Sequence, residues 1–141
     1  MTGHTGFVGR HVMNHLNAGR SSSWRLIPPV PHDLLDPASL DNWLVEQCPD
    51  AVLHLAGQTF VPAAAKNPAD TLQVNLLGTL NLLQALKRRG FNGTFLYVSS
   101  GDVYGQVDTE QLPISETLLP HPRNPYAVSK LAAEHLCLQW S

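Results

Sequence analysis

The spacing of apolar positions divides the chain into alternating helix-like and strand-like segments. Residues 6–18 carry Val8, Val12 and Leu16 four apart, the stripe of an amphipathic helix, and Gly19 supplies a stop. The three serines at 21–23 read as a turn. Residues 24–27 form a short strand candidate, cut off by Pro28 and Pro29. Residues 37–46 fit a short helix with Pro37 in its first turn. After Asp50, the run Ala-Val-Leu-His-Leu-Ala-Gly at 51–57 has the nearly continuous apolar pattern of a parallel strand buried on both faces. Residues 68–89 predict one long helix ended by Gly90. Its leucines, at 72, 76, 77, 80, 82, 83 and 86, cover more than one face, so the helix is expected to pack on the sheet and on a second body too. Gly93 precedes a second buried-type strand at 94–99. A Pro-rich loop fills 105–125, and a last helix runs from 126 to 140.

Strands alternating with helices predict a doubly wound, parallel α/β sheet. The chain has 141 residues, enough for a single domain. Its hydrophobic share of 43% and charged share of 14% exclude a disordered chain. With a net charge of −2 and no basic stripe, a nucleic-acid partner is not expected. The apolar runs fall short of the roughly 20 residues of a membrane span. Cys48 and Cys137 are far apart, with no CxxC, so neither a disulfide framework nor a zinc site is expected, and a reducing cytoplasm is the default. No metal site is expected: His11 and His15 lie four apart but lack a third ligand and read as solvent-facing.

The glycines of Thr2-Gly3-His4-Thr5-Gly6-Phe7-Val8-Gly9 stand three apart. In a Rossmann unit such a loop turns tightly out of a strand, lets a pyrophosphate approach the backbone and opens a helix whose N-terminus attracts anions. Such a loop follows a strand of about five residues, yet Met1 alone precedes Thr2, and the chain stops at Ser141 just after a helix. The expectation is therefore a natural chain longer at both ends, of which residues 1–141 are part of a Rossmann domain. The second strand of such a unit usually ends in an acid that reads the ribose for NAD, or has a nearby Arg for NADP. Residues 27–32 carry neither, so the choice between NAD and NADP stays open; Asp33 and Leu34 either line an adenine pocket or make a turn and a cap.

Tyr126 and Lys130 stand at i and i+4, on one helical face. A free phenol has a pKa near 10, and an ammonium a few ångströms away favours its ionised form, which makes a usable general acid/base. Ser100, in Ser99-Ser100-Gly101-Asp102-Val103-Tyr104-Gly105, follows a strand at its C-terminal end, where open α/β sheets bind ligands. Leu55-Ala56-Gly57 ends the preceding strand with small residues that a flat cofactor can approach. His54 reads as a satisfied core histidine. Gln58, Thr59, His121, Arg123 and Asn124 are either substrate contacts or loop structure, and Lys87-Arg88-Arg89 reads as a solvated helix end facing the dipole.

Taken in order, the glycine loop, His54-Leu-Ala-Gly57, Asn75, Ser100 four residues before Tyr104, and Tyr126-Ala-Val-Ser-Lys130 resemble the extended short-chain dehydrogenase/reductase family over essentially the whole chain. Leu53-His-Leu-Ala-Gly-Gln-Thr59, Ser99-Ser-Gly-Asp-Val-Tyr-Gly105 and His121-Pro-Arg-Asn-Pro-Tyr-Ala-Val-Ser-Lys130 are most similar to its nucleotide-sugar branch, the bacterial GDP-4-keto-6-deoxy-D-mannose reductases that form GDP-D-rhamnose. The resemblance implies hydride transfer from NAD(P)H to a C-4 ketone. Tyr126 would donate the proton, Lys130 would hold the nicotinamide ribose, Ser100 would orient the carbonyl, and Asn75 would keep the helix geometry and a relay water. It implies cofactor contacts at Gly3, Thr5, Gly6, Phe7, Val8, Gly9, Asp33, Leu34, Leu55, Ala56, Gly57, Asn75, Tyr126 and Lys130. Substrate contacts would come from Thr59, Ser100, Gly101, Asp102 and Arg123. Dehydratases of the branch carry Glu two residues before the Tyr-Gly pair, where this chain has the shorter Asp102, expected to bond a sugar hydroxyl. A reductase is thus the first reading, a 4,6-dehydratase or epimerase the second, and a noncatalytic dinucleotide-binding fragment the third. A homodimer through helices 68–89 and 126–140 is expected.

Overall fold

The structure, a computed structural model, describes residues 1–19, 23–27 and 33–140. Helix α1 spans Phe7–Asn17. Helix α2, Pro37–Glu46, starts where Asp36 caps it, its carboxylate accepting from the amides of Ala38 and Ser39 at 3.1 and 3.2 Å. Strand β1, Ala51–His54, leads through helix α3, Val61–Lys66, and helix α4, Pro68–Leu72, into a π turn, Gln73–Leu77, and helix α5, Gly78–Arg88. Strand β2, Thr94–Tyr97, then lies parallel to β1, with Val52 beside Phe95 and His54 beside Tyr97. A 3-10 turn, Gly101–Tyr104, a second at Thr109–Gln111 and helix α6, Pro125–Gln139, complete the order. The helical crossover between two parallel strands is the βαβ unit that the alternating pattern predicts.

Burial is lopsided. Alternation along β1 and β2 turns Val52, His54, Phe95 and Tyr97 to one face. There Val52 joins Leu34, Leu40, Leu44, Leu82, Ala85 and Leu86 in the main core, flanked by Trp43, Phe91 and Phe95. The opposite face is open: Leu96 is 57% exposed and Val98 is exposed too, so the second strand is not buried on both faces as its sequence predicts. A cleft of about 740 Å³ runs beside β1 and is lined by Leu16, Leu53, Leu82, Leu86 and Leu96 among others. Residues 24–27 also line it and form no strand. A strand needs a ladder partner, and on that side of β1 the described residues offer a single parallel bridge, Thr2 to His54. Of the serine turn, only Ser23 falls within the described residues.

Two further expectations change. The long helix is interrupted by the π turn around Asn75, and part of its extra apolar surface is covered within the chain, because α6 packs on α3, α4, the π turn and α5. The basic run 87–89 is not simply solvated. Arg88 pairs with Asp41 through two hydrogen bonds of 3.1 and 2.9 Å, Arg89 bonds the Asp41 carbonyl, and Lys87 stands 4.8 Å from the Trp140 ring centre. These contacts are exposed and fix orientation more than they stabilise. The weight falls on the core: Leu40→Ala, at a fully buried position, is expected to destabilise the chain by about 2–5 kcal/mol, measured by denaturant unfolding.

Candidate active site

The glycine loop folds as its spacing requires. Gly3 has φ of +67°, and a Cβ there would lie 2.6 Å from the Ala56 amide nitrogen, so the loop rests directly on the end of β1. The Gly6 amide donates to the Gly3 carbonyl at 3.0 Å and closes the turn. A Cβ on Gly9 would stand 2.2 Å from the Gly3 oxygen, which brings α1 hard against the loop. Gly6 is the N-cap of α1 and offers no side-chain acceptor to its first amides, while Phe7 and Val8 are 75% and 54% exposed. Thr5 is exposed at the same rim. We expect Gly9→Ala to displace the loop, lowering stability by about 1–3 kcal/mol and weakening any dinucleotide bound there at least about tenfold, as read by thermal melting and ligand titration.

Leu55, Ala56 and Gly57 lead from β1 beside this loop. A Cβ on Gly57 would meet the Asn75 side-chain oxygen at 2.9 Å, so the glycine makes room for Asn75. Asn75 is buried in the π turn and fully engaged. Its Oδ1 accepts from the Gln58 amide, and its Nδ2 donates to the Gln58 carbonyl and to Ser129 Oγ at 2.9 and 2.8 Å. Ser129 in turn donates to the Tyr126 carbonyl at 2.7 Å. Thr59 is exposed just beyond.

The third part comes from the end of β2. Ser100 caps the first 3-10 turn by accepting from the Asp102 amide, which leaves its hydroxyl proton free to be donated. Asp102 Oδ2 accepts from Asn124 Nδ2 at 2.9 Å, and Asn124 Oδ1 caps α6 at the Ala127 amide. This clamp joins the Ser100 loop to the helix start that carries Tyr126. Tyr126 is 9% exposed, and its hydroxyl bonds no described residue. One turn on, Lys130 is 6% exposed; its Nζ donates to the Val98 carbonyl at 2.6 Å and sits 4.4 Å from the Tyr97 ring centre. Burial lowers the Lys130 pKa, opposed by Glu134 and Cys137. Burial also raises the Tyr97 pKa, helped by Cys137, Glu134 and Tyr126. The Tyr97 hydroxyl and Ser99 Oγ are buried and have no partner among the described residues.

Other predicted residues lie around these parts. Gly101 has open space around it. Arg123 is exposed and bonds Gln106, and the His121 amide bonds the Val103 carbonyl. Asp33 accepts from the Leu35 amide in a turn, while Leu34 belongs to the core and its carbonyl accepts from Asn81. Residues 28–32, where a ribose-reading residue would stand, lie outside the described residues. His54 is buried and bonded on both ring nitrogens, as its apolar surroundings imply. His11 and His15 are exposed, and no group of three metal-binding side chains occurs among the described residues. Sequence reasoning passed over Thr79, Ser129 and the Asp102–Asn124 clamp. The readable signal was the polar series Thr71, Asn75, Thr79, four apart on an otherwise apolar helix.

Comparison with known proteins places these three parts in a family context. The profile of the NAD dependent epimerase/dehydratase family matches residues 1–141. A GDP-6-deoxy-D-mannose reductase of Pseudomonas aeruginosa is 67% identical over 99% of this chain and 46% of its own length. The solved structure of RMD from Pseudomonas aeruginosa complexed with NADPH gives a TM-score of 0.92 at 67% identity, covering 98% of this chain and 47% of that one. A Thermus thermophilus UDP-glucose 4-epimerase in complex with NAD gives a TM-score of 0.84 at 32% identity, over 99% of this chain and 49% of that one. The chain spans about half the length of the relatives it matches. With the family profile matched from end to end and the Rossmann-like fold shared, this chain belongs to the NAD dependent epimerase/dehydratase family.

Proposed function

We propose that residues 1–141 form the dinucleotide-binding part of an NADPH-dependent reductase that converts the C-4 ketone of GDP-4-dehydro-6-deoxy-D-mannose into GDP-D-rhamnose. The observation that carries this reading is the 67% identity to a GDP-6-deoxy-D-mannose reductase across 99% of the chain. The site fits a dinucleotide: Gly3 and Gly9 leave no room for side chains, and the uncapped start of α1 presents amides suited to a pyrophosphate. Thr5, Phe7 and Val8 would border it, with Leu34, Leu55, Ala56 and Gly57 on the strand side. NADPH, the cofactor in the Pseudomonas structure, supplies the hydride when bound.

The chain's own residues supply the rest. Tyr126 gives its proton to the oxygen that becomes the C-4 hydroxyl, and its phenolate is refilled from solvent. Lys130 keeps two ammonium protons beyond the one given to Val98, enough to hold ribose hydroxyls. Ser100 donates to the ketone oxygen, and Asn75 braces the helix under Tyr126. Thr59, Gly101, Asp102 and Arg123 would border the sugar. Because Asp102 is tied to Asn124, it is poorly placed to abstract a proton for water elimination, which supports reduction over dehydration. Exposed Leu77 and Val128, on the two helices named for the dimer, support a homodimer through them. Free Cys48 and Cys137 are in keeping with a reducing cytoplasm, and no described helix is long and apolar enough to cross a membrane.

The test titrates the chain with NADPH and NADH, then follows NADPH oxidation with GDP-4-dehydro-6-deoxy-D-mannose and identifies the sugar by proton NMR. Binding of NADPH with GDP-D-rhamnose formed bears out the whole reading. Binding without turnover reduces the chain to a dinucleotide module. Formation of a dehydrated or epimerised sugar replaces the reductase reading, and absence of binding overturns the proposal. Sedimentation as a monomer would remove the dimer.

A further inference from the structure

A buried line of hydrogen bonds connects the glycine loop to the helix beneath Tyr126, and its direction can be read bond by bond. At one end, Thr79 Oγ1 lies 2.6 Å from the Asn75 carbonyl inside the π turn. A carbonyl only accepts, so the single Thr79 proton goes there. Thr79 Oγ1 therefore accepts from His54 Nε2, 3.0 Å away. A neutral imidazole carries one proton, so its Nδ1 is an acceptor, and the Thr2 hydroxyl at 2.6 Å donates to it. Thr2 Oγ1 then accepts from the Ala56 amide at 3.2 Å, the same backbone on which Gly3 rests. Thr2, His54, Asn75 and Thr79 are all buried, so no water competes for these bonds.

We propose that His54 is a positioning residue of the site: as the neutral tautomer protonated on Nε2, it locks the glycine loop to the Asn75 carbonyl and so couples the dinucleotide loop to the Tyr126 helix. Turning the ring proton to Nδ1 would face it to the Thr2 hydroxyl, whose other neighbour is an amide donor, and would leave Thr79 without a donor. One wrong proton thus disturbs both ends. Beyond Asn75, the line continues through the amide to Ser129 and the Tyr126 carbonyl. Thr79, two contacts away from the loop, is thereby part of loop placement.

The functional half of this inference rests on the dinucleotide reading above, and the experiment separates the two. Nitrogen NMR of ring-labelled chain, with His54 assigned by the signal lost in His54→Gln, is expected to show Nε2 protonated and Nδ1 bare at neutral pH. Thr79→Val keeps the shape and removes the acceptor. It is expected to mix the His54 tautomers, to speed exchange of the Ala56 amide about tenfold, and to weaken NADPH about tenfold, all well below its melting temperature. Thr79→Ser is expected to restore all three. A His54 protonated on Nδ1, or an Ala56 amide unmoved in a folded Thr79→Val, overturns the coupling, since mere packing loss would lower melting without either change. If wild type binds no NADPH, the dinucleotide reading fails while the tautomer and exchange measurements still decide the coupling. If Thr79→Val does not fold, the tautomer of wild type carries the decision: Nε2 protonated bears out the line, and Nδ1 protonated overturns it.

Discussion

In the proposed reductase, replacing Tyr126 by Phe is expected to lower kcat for ketone reduction by roughly 10²–10⁴-fold, the usual reach of a general acid, while NADPH affinity stays within about twofold. The structure makes this a clean change. The Tyr126 ring is buried at the start of α6, but its hydroxyl bonds no described residue, so Phe keeps the packing and leaves no partner orphaned. The fold should lose little. Lys130→Met makes the contrast: it removes the bond to Val98 and the buried charge together, so turnover and NADPH affinity are both expected to fall. Steady-state kinetics with parallel NADPH titrations distinguishes the two. Undiminished turnover in Tyr126→Phe would take the proton-donor role from this residue and leave the site with a binding function.

The contrast between these residues shows what the sequence made legible. Tyr126 and Lys130 were readable because four-residue spacing on a helix is a local geometry, and both the helix and its first turn are where the pattern puts them. The glycine loop was readable for the same reason. The π turn was not, because one extra residue in a turn barely alters an apolar stripe that already covers several faces. Helix α3 was missed because its six residues, with Pro62 in the first turn, are too few to show a helical period. The failures at residues 24–27 and on the outer face of β2 share another cause. Apolar strand-like sequence states what a segment would bury, and the burial itself depends on ladder partners and covering layers contributed from elsewhere. The resemblance implies substrate contacts at Asp102 and Arg123, but their hydrogen-bond partners are not legible in it. Their partners, Asn124 and Gln106, are 22 and 17 residues away and set by the path of a Pro-rich loop that has no period to read.

Acid is expected to unfold this chain through His54. Burial, first, and then the Lys130 ammonium and the chain's amino terminus hold its pKa down at about 4, against 6.5 for a free imidazole. Above pH 6.5 the ring is neutral in both folded and unfolded chains and adds no slope. Between 6.5 and 4 the unfolded chain takes up a proton that the folded chain refuses, so stability falls with falling pH, and below 4 the loss is complete. At about 1.4 kcal/mol per pKa unit, the span corresponds to about 3 kcal/mol, a sizeable share of the roughly 5–15 kcal/mol that holds a small domain. The ring has no easy alternative. Protonated on both nitrogens, it would confront the Thr2 hydroxyl, which already accepts from Ala56. Carboxylates and exposed histidines titrate as well, so the comparison is differential: denaturant unfolding of wild type and His54→Gln at pH 7, 6, 5 and 4. Wild type should lose about 3 kcal/mol more than the variant over that range, starting from a higher value at pH 7. Parallel curves would mean that the buried line accepts an imidazolium at no cost, and the proton order deduced for it could not stand.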